Sequence, residues 1–223
     1  ALLYHLKPLG RGAVVCGMLA LLALGLYLLF AQSKGVWVAW YAMLLLAPIW
    51  RRERLYLSVA ILSLAGLAGS LWFAPDLVLQ RGFSYRPELL REGLDLLFDG
   101  NLLAGLGLGS SYKLELASIA QSFDHPHNLF MGIALHFGLI GLLLWSVAWL
   151  SMGLLAWRLR GEALGSALLG VWLFASLALL SDGGEPWVKP QEIWFLTWIP
   201  FGLALALARL ADSGQQLVKD APR

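Results

Sequence analysis

Six long apolar runs dominate the chain: Gly12 to Ser33, Gly35 to Trp50, Leu55 to Pro75, Asn128 to Trp157, Ala163 to Ser181 and Ile193 to Ala208. His136 is the only acidic or basic side chain inside them. A helix perpendicular to a bilayer needs roughly 20 residues, so the two shortest runs sit near the lower limit and the fourth is long enough to tilt or project above the headgroups. Mean hydropathy is +0.72 and only 13% of residues are charged, which excludes a soluble domain and a disordered chain. The runs are continuous, unlike the alternating segments of about ten residues that build a β-barrel. The expected fold is therefore an all-α polytopic membrane helix bundle of about six transmembrane helices. Residues 1–75 hold three of them, 76–127 a long loop, 128–210 three more and 211–223 a tail.

Basic residues near span ends stay on the cytoplasmic side. Arg51, Arg52, Arg54, Arg158, Arg160 and Arg209 gather on one side with both termini, whereas the short loops opposite hold only Lys34 and Lys189. Both termini are thus expected in the cytoplasm and the long loop outside. A net charge of +2 without a polybasic tract gives no nucleic-acid signal. Cys16, the single cysteine, lies in the first run, where it serves as a small apolar filler and can build neither a disulfide framework nor a thiolate cluster within the chain. The chain opens at Ala1 with no cleavage site resembling a signal peptide, and the expectation is a piece of a longer protein.

The loop from Asp76 to His127 is far longer than an ordinary connection, and its pattern predicts order. Pro87 can open a helix that puts Leu89, Leu90, Leu94 and Leu97 on one side, with Arg86, Glu88, Glu92, Asp95 and Asp99 toward water. Such an amphipathic helix suits a membrane surface or a groove. After a turn at Asp99, Gly100 and Asn101, the run Leu102 to Gly109 reads as close backbone packing; it follows no strand of a nucleotide fold, although its amides could face a diphosphate.

The polar groups concentrate at the loop's two ends: Arg81 and Arg86 where it leaves the third span, and Asp124, His125, His127 and Asn128 where it enters the fourth. Both ends meet the same membrane face, so a loop folded over them builds a partly dry pocket. Arginine forks match phosphate oxygens, and histidine is readily tuned to take a proton near neutral pH. Plainer roles stand beside these. Arginines near span ends, Arg91 above all, contact headgroups, and Asn128, Asp124 or a histidine can cap the fourth helix. His125 and His127 share one face of an extended segment, but no further ligand completes a metal shell, so no metal is expected. His136 reads as a buried, hydrogen-bonded histidine between helices, and Trp187, Trp194 and Trp198 as interfacial anchors.

The stretches RGFSYRPELLREGLDLLFDGNLLAGLGLGSSY and DHPHNLFMGIALHFGLIGLLLW, in this order, resemble the O-antigen ligase and polymerase family of bacterial envelope enzymes. The matching parts are the arginine-bearing stretch Arg81 to Arg86, the glycine segment Leu102 to Gly109, and His125 to Asn128 followed by Gly138 and Gly141; the proline usual before the first leucine of the glycine segment is absent. The resemblance covers roughly residues 80 to 145 and implies the C-terminal half of a GT-C-like protein with about twice as many spans. It implies a cofactor-free, metal-independent glycosyltransferase of the bacterial inner membrane with a periplasmic active site. The donor would be a glycan on undecaprenyl diphosphate, its diphosphate held by Arg81 and Arg86, with Asn128 as a further substrate-binding residue. His127 would be the general base, supported by His125, and the acceptor would be a sugar of lipid A-core. Glu185 or Glu192 could pair with the arginines or bind the acceptor. A polymerase, a ligase that glycosylates protein, and a lipid-linked glycan transporter are the competing readings; the transporter is disfavoured because it asks for charged groups along a transmembrane path, and His136 is the only such group inside a span.

Overall fold

The computed structural model describes residues 11–31, 33–73, 75, 85–188 and 192–219. Each apolar run is helical: α1 (Arg11–Ala31), α2 (Lys34–Trp50), α3 (Arg54–Phe73), α5 (Leu129–Arg158), α6 (Ala163–Ser181) and α7 (Glu192–Lys219). The extramembrane segment contributes α4 (Arg86–Phe98) and the strands β1 (Leu114–Leu116) and β2 (Gln121–Phe123). Among the described residues four helices, α3, α5, α6 and α7, are long and apolar enough to cross a membrane, while α2 and the apolar stretch Val15–Tyr27 of α1 are shorter. The chain is a mostly helical, multi-pass membrane bundle.

Its main core lies where α5, α6 and α7 meet, around Trp149, Leu168, Ala175, Leu179 and Leu207. Two of its indole donors are satisfied, Trp149 Nε1 donating to Ser176 Oγ at 2.8 Å and Trp172 Nε1 to the Trp149 carbonyl at 2.8 Å, while the buried Trp145 Nε1 has no partner among the described residues. The start of α2 packs on the end of α6, with Gly35 directly against Ser181. The end of α2 reaches the start of α6, where Arg51 Nε donates to Ser166 Oγ at 3.1 Å. Four arginines gather at this end. Arg51, Arg52, Arg158 and Arg160 line a cleft of about 520 Å³ at the end of the bundle remote from Asn128 and Ser181.

Pro87 stands in the first turn of α4, as its fixed φ favours. The buried side is Leu89, Gly93 and Leu97, with Leu96 half-buried; Leu90 and Leu94, expected on that side, are 39% and 38% exposed. The reason is the partner surface. Leu97 packs on Met131, Ala134 and Leu135 of α5, and Leu89 on Leu114 and Leu116, so that the flank carrying Leu90 and Leu94 is left partly uncovered by the described residues. The purely helical expectation also misses the hairpin. β1 and β2 pair antiparallel with Leu114 opposite Phe123 and Leu116 opposite Gln121. The alternation Leu114, Glu115, Leu116 buries both leucines against α4 and turns the glutamate outward.

Within α5 the helical backbone is interrupted at Gly138, where φ is 66° and ψ −166°. The glycine segment inserts into this break. Leu139 N–H donates to the Leu102 carbonyl at 2.9 Å and Ile140 N–H to that of Leu103 at 3.3 Å. In return Leu106 N–H donates to the Leu135 carbonyl at 2.7 Å and Gly107 N–H to that of His136 at 3.0 Å. Backbone groups freed by the break are thus satisfied by the wedge. Close backbone packing is the geometry found, and the Leu106 and Gly107 amides are committed to helix carbonyls.

Candidate active site

The chain from β2 to α5 carries Asp124, His125, Pro126, His127 and Asn128. Asn128 is extended, with φ −154°, and its Oδ1 accepts from Met131 N–H at 3.0 Å, which caps α5. Its Nδ2 donates to the Leu180 carbonyl at 3.1 Å, tying the start of α5 to the end of α6. His127, one residue earlier, adopts a positive φ of 48°, a conformation that costs a non-glycine residue about 1 kcal/mol or more and is found where surroundings over-determine the backbone.

His127 Nδ1 lies 3.0 Å from Asp182 Oδ1 at the end of α6. A carboxylate only accepts, so Nδ1–H donates and the neutral ring keeps its lone pair on Nε2. The His125 and His127 ring centroids are 4.0 Å apart. Burial, and secondarily the neighbouring His127, holds His125 below its ordinary pKa of 6.5, against an upward pull from Asp182, Asp124 and Glu185. His125 should therefore remain mostly neutral at pH 6.5, where a free imidazole is half-protonated; histidine NMR titration of the folded protein checks this, and a midpoint at or above 6.5 would contradict it. In linkage terms the folded state binds fewer protons here, so this contribution to stability is present above pH 6.5 and lost as pH falls through the folded pKa.

These groups face a cavity of about 730 Å³. Asp124, His125, His127, Asp182 and Glu185 form its polar wall. Val36 of α2, Phe174 and Ala178 of α6, and Ile193 and Leu196 of α7 form the apolar one. Behind the polar wall His136 is buried, as the sequence suggests, with Nδ1 3.1 Å from the Gly132 carbonyl oxygen and Nε2 3.2 Å from Glu185 Oε1. The Tyr112 and Trp187 rings meet it edge-on at centroid distances of 5.5 and 5.3 Å. Burial, then Glu185 and Asp124, push the Tyr112 phenol up, so it stays protonated. Trp187 packs inward on His136 and Phe137 and is only partly exposed, unlike a freely standing interfacial anchor.

The structure brings His125 and His127 together on the cavity. Arg86, half-buried at the start of α4, is not among its lining residues, and Arg81 lies outside the described residues. Asp182 as the partner of His127, and the contact between His136 and Glu185, were not foreseen; the one available signal was that Asp182 is the first acidic residue after an apolar run ending on the side where His127 begins one. Among the described residues no group of three or more His, Cys, Asp or Glu side chains is arranged to hold a metal ion.

Fold and site together define a class: multi-pass helical membrane proteins with a histidine–carboxylate cavity at one end of the bundle. Over 157 residues, 70% of this chain, the sequence is 31% identical to the O-antigen ligase of Pseudomonas aeruginosa strain PAO1. The chain is therefore related to the O-antigen ligase family, as its motifs suggest. The matched part spans 38% of that ligase's length. No family model and no solved structure matches the chain.

Proposed function

We propose that the protein containing this chain is a glycosyltransferase of the O-antigen ligase type, moving a glycan from undecaprenyl diphosphate to a sugar of lipid A-core. It would sit in the bacterial inner membrane with six spans in this region, a GT-C-like arrangement, and the cavity on the periplasmic side; segregation of Arg51, Arg52, Arg158 and Arg160 to the other end supports that orientation. The observation that carries the reading is the contact of His127 with Asp182 on the cavity wall. It supplies an oriented base, the first requirement for activating a hydroxyl.

In the proposed step, His127 Nε2 takes the proton of an acceptor hydroxyl. That oxygen forms the bond to the anomeric carbon as the carbon–oxygen bond to diphosphate breaks, and undecaprenyl diphosphate departs with the electron pair. Arg81 and Arg86 would stabilise the leaving charge, which two guanidiniums can do without a metal. Asp182 would stabilise the transient imidazolium, while His125, neutral beside it, and Asn128, through its cap, keep the base in place. The test is a deletion strain. Loss of all long-chain lipopolysaccharide with accumulation of lipid-linked polymer is expected; single repeat units on the core would instead identify a polymerase.

A further inference from the structure

We infer that Glu185, anchored by His136, forms the acceptor subsite: its carboxylate accepts hydrogen bonds from acceptor-sugar hydroxyls. The inference rests on the proposed assignment of the cavity to glycan transfer and names which substrate its acidic wall receives.

Glu185 lies on the irregular segment between α6 and α7, where a side chain would ordinarily be free to wander. Here it is fixed from behind. His136 is 2% exposed, and its Nδ1 faces the Gly132 carbonyl, which can only accept, so Nδ1 bears a hydrogen. Its Nε2 lies 3.2 Å from Glu185 Oε1, within hydrogen-bonding distance of the carboxylate. Tyr112 and Trp187 clamp the imidazole, and Trp198 Nε1 donates to the Pro186 carbonyl at 3.2 Å, fixing the residue that follows Glu185. The Glu185 side chain nevertheless stays 26% exposed and lines the cavity. Its carboxyl group has acceptor capacity beyond the one contact with His136.

The charge around Glu185 suits the acceptor. The described lining residues include Asp124, Asp182 and Glu185 and no lysine or arginine. Carboxylates disfavour a multiply charged diphosphate in a partly dry cavity, whereas they are good acceptors for uncharged polyols. Phe174, also on the lining, offers a surface to the apolar face of a sugar ring. The base His127 shares the cavity with Glu185, so a hydroxyl-bearing ring held by one is within the space served by the other.

The experiment uses the full-length protein in proteoliposomes, with undecaprenyl-diphosphate-linked glycan as donor and lipid A-core as acceptor, each varied in turn. Glu185→Gln, which keeps the volume, should raise KM for lipid A-core by about tenfold or more while KM for the donor stays within about twofold. Glu185→Asp, which keeps the charge and shortens the reach, should give the same split with a smaller rise. An unchanged acceptor KM, a loss confined to kcat, or an equal rise in donor KM overturns the assignment. His127→Ala in the same assay tests the underlying reading separately, because retained turnover there removes the base whatever Glu185 does.

Discussion

Replacing His127 by Ala is expected to lower glycan transfer by about a hundredfold to ten-thousandfold, the usual range for loss of a general base. The membrane-inserted protein should persist at wild-type level. The folding cost is small because the ring is partly exposed, at 27%, and its hydrogen bond is to a carboxylate that is itself 51% exposed and readily solvated. Asp182→Asn should fall in between, at about a tenfold to hundredfold loss, since the ring keeps a polar neighbour but loses the charge that favours the imidazolium. The ordering matters more than either value. If Asp182 orients His127, the double replacement loses scarcely more than His127→Ala alone, because a partner cannot orient a ring that is absent. Fully additive losses would mean that the two side chains act separately, and unchanged transfer in His127→Ala would remove the proposed base. Transfer is measured from purified donor and acceptor, with membrane insertion followed in parallel.

The helices were legible because lipid demands uniform apolarity over a fixed length, a signal that needs no knowledge of neighbours. Pro87 was legible for a similarly local reason: its backbone fits a first helical turn. The three-residue strand Leu114–Leu116 was not, since an alternation of this length is common in any loop and becomes a strand only when α4 provides a surface. Leu90 and Leu94 mislead in the same way. Their apolarity is genuine, but which part of a broad apolar arc is buried depends on where Met131 and Leu135 stand. At the site, adjacency in sequence made His125 and His127 recognisable, whereas Asp182 and Glu185 meet their histidines only because α6 returns antiparallel to α5. The resemblance to a known family supplied the chemistry of the histidine motif; it carried no information about these carboxylate partners.

The break in α5 leads to the second large effect. Gly138→Ala should destabilise the protein severely and abolish transfer, although the substitution adds one methyl group in an apolar helix. Two costs combine. With φ at 66° and ψ at −166°, Gly138 occupies a region almost restricted to glycine, worth about 1 to 3 kcal/mol against any other residue. A Cβ there would also collide with the Leu103 carbonyl and the Ala104 amide, both backbone groups that cannot rotate aside. Relief requires the wedge to withdraw. Withdrawal strips partners from the Leu139 and Ile140 amides and from the carbonyls of the buried Leu135 and His136, in an apolar span where unpaired backbone groups are costly. Gly105 makes the reciprocal contact, its Cβ position lying 2.6 Å from the Gly138 nitrogen, so Gly105→Ala should fail similarly. Gly66→Ala in α3 is the control: nothing among the described residues lies within 4 Å of its Cβ position, and it should leave the melting temperature in detergent within a few degrees or raise it. The first half of α5 carries Asn128 at its cap, and His127 stands just before it, so a displaced wedge moves the proposed base as well. A Gly138→Ala protein that melts like the wild type would show that the wedge contributes little to the fold, and that His127 is held by its contacts to α6 alone.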